Sequence, residues 1–181
     1  FTNDSGGVYN VNSGTFQLPY NGTDAGTYNI ASGATLHASD SRTFNSGIDF
    51  TGSGAVSFTD GTKTFGSAYT FGSGGPSLSF TGGTISAASN LTIQSAFNWG
   101  NSAVMTGAGT LITTGNTTLG NAPTLSTKTW NNSGTVSWSG GTYLTLDNTS
   151  SFNNLSGGVV NLPTSGGGVF YNYNGGNTST V

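Results

Sequence analysis

Cysteine and glutamate are absent, histidine occurs once, and only nine of 181 residues carry a formal charge: six Asp, two Lys and one Arg. Each shortage removes a class of function. Without cysteine there is no disulfide staple, and with His37 alone there is no Cys/His zinc site. Arg42, Lys63 and Lys128 cannot neutralise a phosphate backbone, which excludes nucleic acid as an electrostatic partner. No apolar run approaches the roughly 18–20 residues of a membrane helix, so no membrane span is expected. Strong helix formers are scarce, with one Met and only Gln17 and Gln94 as glutamines. Long helices are therefore not expected. The chain opens at Phe1 with neither an initiator methionine nor a basic leader, which reads as a mature or excised segment.

What is present is glycine (31 residues), much Ser, Thr and Asn, and 12% aromatics. Leu, Ile, Val and Phe together make 36 of 181 residues, near the threshold of about 20% below which chains stay disordered. Disorder also calls for high net charge, and here it is −3, so the chain folds, or aggregates, through β-pairing. The local period is two. Apolar pairs flank one small or polar residue at Tyr28/Ile30, Ile48/Phe50, Val56/Phe58, Leu78/Phe80, Phe97/Trp99, Val136/Trp138 and Val160/Leu162. Alternation marks strands whose successive side chains point to opposite faces. Ile48, Phe50, Tyr69, Phe71, Val136, Trp138, Val160 and Leu162 are the expected inward positions, with Asp49, Thr70, Ser137 and Asn161 outward. Between the strands sit Ser-Gly and Gly-Gly steps, which supply the left-handed residues of sharp corners.

A longer period lies over this one. An aromatic followed by an Asn/Ser/Gly corner and a short strand begins at Phe1, Phe44, Phe65, Trp130 and Phe152. One period of about 21–22 residues fits all five starts and gives about eight turns, with poor copies near 86–90 and 108–113. Evenly spaced short strands suit an antiparallel sandwich or barrel, a β-solenoid, or a low-complexity linker. The recurring corner favours the solenoid, because every coil must turn the same corner. The expected architecture is a single all-β domain, 1–181, in which coils stack in parallel. The corner aromatics then form an internal ladder.

The segments Gly7–Phe16, Thr27–Leu36 and Trp130–Val136 resemble the β-strand repeats of large bacterial surface proteins, namely autotransporter passengers and filamentous-haemagglutinin-like adhesins. The resemblance spreads over most of the chain, is weakest between about 86 and 120, and brings no catalytic motif. It implies a right-handed parallel β-helix, exported to the cell surface or beyond, that serves as a stalk, fibre or adhesin. The expected function is an extracellular structural β-solenoid assembling end to end. The alternative is an adhesin or carbohydrate-binding module, and third comes a polysaccharide-acting enzyme.

Candidate chemistry is thin. The spacing from Asp40 to Asp60 is near one coil, and so is that from Arg42 to Lys63. The plain reading is a small surface ion-pair ladder, against a catalytic or cation-binding carboxylate pair. His37, next to Leu36, reads as an exposed polar residue. The Gly-Gly steps lack the Asp of calcium-binding repeats. A threonine ladder of the kind that orders ice needs T-x-T pairs in consecutive coils. Thr62-Lys63-Thr64 and Thr127-Lys128-Thr129 lie three coils apart, and the coils between do not repeat the pair. Asn-x-Ser/Thr triplets, as at Asn3, Asn21 and Asn131, permit surface glycans. The expectation is no enzyme, metal or cofactor. It is instead head-to-tail self-association, since strand edges without charge or proline recruit other chains. Phe1 at one end and Phe170, Tyr171 and Tyr173 at the other are the expected joint.

Overall fold

A computed structural model describes residues 1–18, 20–139, 143–163 and 169–172. These residues hold 24 strands of three to five residues and no helix. Every ladder is parallel, and each strand pairs with the third strand before or after it in the chain. Three strands make one coil, so the molecule is a β-solenoid of eight coils with three faces. In the first coil the strands are Val8–Val11, Thr15–Leu18 and Gly22–Asp24. The second face is an unbroken eight-stranded sheet from Thr15–Leu18 to Val159–Asn161, and the third runs unbroken from Gly22–Asp24 to Val169–Asn172. The first face is split into sheets of three and five strands, between Asp49–Thr51 and Tyr69–Phe71. At that break the Phe50 N–H donates to the Tyr69 hydroxyl (2.8 Å) in place of a backbone carbonyl.

The period-two pattern decides what is inside. On the second face Leu36, Val56, Leu78 and Phe97 stack in register, with Ala38, Phe58, Phe80 and Trp99 beside them. All are buried in one continuous core. Parallel in-register stacking puts like on like, and aromatic rings meet face to face: Tyr28 and Phe50 have centroids 5.9 Å apart and planes 15° apart. Corners turn on glycine where no other residue fits. At Gly52 (φ +84°) a Cβ would lie 2.2 Å from the Ile30 carbonyl oxygen of the coil beneath.

Coil length is not constant, and this corrects the single-period reading. Val8 lies opposite Thr27 near the start of the stack, whereas Tyr143 lies opposite Val169 near its end, a clearly longer step along the chain. The corner aromatics consequently form two columns. Phe44 and Phe65 pair on the third face, and Trp130 and Phe152 pair on the first. All four are buried, whereas Phe1 is 46% exposed at the end of the stack. The poor copies near 86–90 and 108–113 nevertheless form regular coils, through Thr84–Ala87 and Leu111–Thr113. Their inward residues are Ile85, Ala87, Leu111 and Thr113, none of them aromatic, and the core accepts them. Of the inward positions expected, Ile48, Phe50, Phe71, Val136 and Trp138 are buried and Tyr69 and Val160 half-buried. Leu162 is 59% exposed, because the last strand of its face stops at Asn161 and the alternation no longer has a partner strand to hold it.

Candidate functional site

At the N-terminal end, the Val8–Val11 and Thr15–Leu18 strands have a neighbour on one side only. The leading residues cross the third strand of that coil, where Asn3 bridges Asp24 in parallel. The Phe1 ring meets Tyr9 (5.1 Å) and Phe16 (5.7 Å) edge-on, and Tyr9 stacks on Phe16 (4.9 Å). Phe1, Val8 and Tyr9 are exposed there.

Beneath this aromatic cluster lies a buried polar plug. Asp24 Oδ2 accepts from Arg42 Nε at 2.7 Å and Oδ1 from the guanidinium NH2 at 2.8 Å, a two-pronged pair shut away from water. Asp24 Oδ1 also accepts from the Tyr28 hydroxyl (2.8 Å) and the Asn3 N–H (3.0 Å). Arg42 donates further to the Phe1 carbonyl (3.1 Å). Burial, and then the Asp24 carboxylate, hold the Tyr28 hydroxyl far above the ordinary phenol range. Both oxygens of the Asp24 carboxylate are thus engaged within the protein.

The expected surface ladder of charges is therefore corrected. Arg42 and Lys63 do lie opposite one another, as their spacing requires, but on the inner side of the third face. Lys63 Nζ donates to the Asp60 carbonyl and sits 5.6 Å from the centre of the Phe58 ring. Burial pushes its ammonium down to about 8. Asp40 and Asp60 stay at the corners and accept backbone N–H groups, from Tyr20 (2.9 Å) and Gly61 (2.7 Å) respectively. Arg42–Asp24 is the one ion pair among the described residues. His37 faces outward, half-buried, with Nε2 2.9 Å from the Thr59 hydroxyl.

Lys128 is a third buried cation, which nothing in the sequence pattern marked as internal. Its Nζ donates to the carbonyls of Ala87 (2.9 Å), Gly107 (3.1 Å) and Gly109 (2.5 Å), so one side chain ties three coils together. Gly107 (φ +104°) turns its carbonyl toward the ammonium, and a Cβ there would lie 2.4 Å from the Ala87 carbonyl oxygen. Burial pushes Lys128 down to about 8.

At the other end, Phe170 turns inward, stacking on Phe152 (4.9 Å) and meeting Trp138 edge-on (5.7 Å). Tyr171 points outward from the third face, 51% exposed, beside Tyr143 (5.6 Å between ring centres). Tyr173 lies outside the described residues. Phe1 and Tyr171 are thus outward, and Phe170 closes the core of the last coil.

The outer side of the third face also changes the reading of its threonines. The Thr127/Thr129 pair does not lie on it, because Thr127 turns a corner (φ +52°) and Thr129 opens the next strand of the first face. At least one hydroxyl nevertheless stands at these paired positions in each of five successive coils. Thr62/Thr64 lie opposite Thr84/Ser86, and Val104/Thr106, Thr124/Ser126 and Thr145/Asp147 follow. A search for a repeated T-x-T misses them, because Ser and Val take some places. The signal was any small β-compatible residue either side of one inward apolar residue. Thr106 bonds to Thr127 (3.0 Å) and Ser126 accepts from Asn148 (3.1 Å), so part of the row is knitted into the protein itself. At the C-terminal end of this row is a groove of about 510 Å³, lined by Ser102, Thr124, Tyr143, Thr145, Asp147 and Tyr171.

No family model, curated protein or solved structure matches the chain.

Proposed function

We propose that this β-solenoid is an extracellular structural rod, a segment of a surface fibre that continues end to end into further protein of the same kind. The observation that carries the reading is the N-terminal end. Two first-coil strands lie there with one edge unpaired, under the exposed rings of Phe1 and Tyr9. Open strand edges without blocking charge are templates for another strand. A first coil meeting a last coil is a heterologous contact, which propagates instead of closing. The low charge fits the same role. Rigidity comes from backbone ladders that run the whole length of the second and third faces, and stability accumulates coil by coil.

Eight coils at about 4.8 Å each make a rod of about 38 Å. Sedimentation velocity and negative-stain imaging over a concentration series should show multiples of that length. Placing charges on the open edge with Val8→Lys and Tyr9→Asp should return single rods. A monodisperse monomer of the unaltered chain at the highest concentration overturns the reading.

A further inference from the structure

We propose that the groove at the C-terminal end of the third face binds a neutral oligosaccharide. The site goes beyond the structural role above and does not rest on end-to-end association. Most aromatic rings among the described residues turn inward. Away from the first coil and its corner, the exposed ones among the described residues are Tyr143 (45%) and Tyr171 (51%), and they stand together. They rise from neighbouring strands, Tyr143–Asp147 and Val169–Asn172, with ring centres 5.6 Å apart and planes tilted by 51°. A half-exposed ring pair at the rim of a cavity suits the apolar C–H faces of pyranose rings.

The floor supplies the polar half of such a site. Thr124 and Thr145 are in register on adjacent strands, Ser102 lies to one side and Asp147 to the other. The hydroxyls of Ser102, Thr124 and Thr145 make no hydrogen bond to any described residue, unlike those of Thr106 and Ser126 farther along the same row. Hydroxyl donors and acceptors beside a carboxylate acceptor match the vicinal hydroxyls of a sugar. Asp147 is the one charged residue lining the groove, so it favours a neutral chain and repels a uronate. From Ser102 in the fifth coil to Tyr171 in the eighth is three coil steps, about 14 Å, so the groove takes a short stretch of a chain laid along the solenoid axis.

The test is titration of the full chain carrying Val8→Lys and Tyr9→Asp with cellohexaose, maltohexaose, chitohexaose and hexagalacturonate, followed by NMR and calorimetry. That background keeps association out of the measurement, and the unaltered chain at low concentration is the control. At least one neutral hexasaccharide should bind, shifting resonances of the Tyr143–Asp147 strand. Tyr143→Ala should weaken it about tenfold, the loss of one stacked ring. Tyr143→Phe, which keeps the ring, should stay close to wild type. Since Tyr143 points outward, the Ala variant should melt as the parent does, so lost binding is not lost folding. The proposal is overturned if all three neutral hexasaccharides fail at millimolar concentration. It is also overturned if Tyr143→Ala leaves binding intact, or if hexagalacturonate binds best.

Discussion

The solenoid buries positive charge at its N-terminal end and again at the corner around Lys128, and it neutralises the two differently. Arg42 has a carboxylate: the planar guanidinium meets Asp24 along two bonds, and Tyr28 and Asn3 occupy the rest of that carboxylate. Lys128 has backbone carbonyls alone. A corner built on Gly107 and Gly109, with Ala87 beneath, leaves three oxygens pointing inward, and the ammonium fills the space between them. The difference follows from what each place lacks. At the end of the stack the leading residues cross the third-face strand, and the Asp–Arg pair takes up the Asn3 N–H and the Phe1 carbonyl. In the middle, ladders take up the strand groups and only corner carbonyls go short, which three ammonium donors can satisfy. A buried charge here is a repair of the backbone.

Breaking the first arrangement should have the largest effect. Asp24→Ala leaves a guanidinium buried without its anion and should cost about 3–5 kcal/mol, measured by urea unfolding. The double variant Asp24→Ala/Arg42→Met should cost clearly less, since no charge is then stranded. Equal losses would show that the pair itself stabilises the end. Lys128→Met orphans carbonyls rather than a charge and should cost about 1–3 kcal/mol.

Raising the pH separates the two regions more gently. Lys63 and Lys128 titrate near 8 when folded, against 10.5 when exposed. Between those values the unfolded chain binds more protons, so stability should rise with pH, on the order of 1 kcal/mol per lysine. Tyr28 and Tyr69 work the other way. Burial raises both, so above about 10 the unfolded chain loses phenol protons that the fold retains, and stability should fall. A stability maximum near pH 10, whose rising limb shrinks in Lys63→Met/Lys128→Met, is the expected thermal-melt profile. A flat profile would sink it. The smallest effect belongs to the carboxylates left at the corners: Asp40→Asn should lie within about 0.5 kcal/mol of neutral.

The contrast also marks how far the residues alone could be read. The alternation at Val56/Phe58 or Leu78/Phe80 announces short strands, and the recurring corners announce coils, because both are local chemistry repeated along the chain. Register is not local. Coils differ in length, so Trp130 lands one face away from where a constant period would place it. The hydroxyl rows of the third face were hidden instead by Ser, Val and Asp standing where a repeated Thr was sought. Arg42 and Lys63 were misread as surface residues for a different reason: composition says that charge belongs in water unless it is paired, and Arg42 meets its partner Asp24 only after stacking.

By itself, then, the sequence determined the class of molecule. It specified an all-β chain of glycine-cornered coils with about eight turns, since side-chain alternation and corner chemistry depend on near neighbours. Only the tertiary structure decided which coil lies over which, and that Arg42, Lys63 and Lys128 are internal cations. It alone brought Tyr143 and Tyr171, distant along the chain, into one groove with Thr124 and Asp147. Those outcomes depend on coil length summed along the stack, a quantity that no single repeat contains.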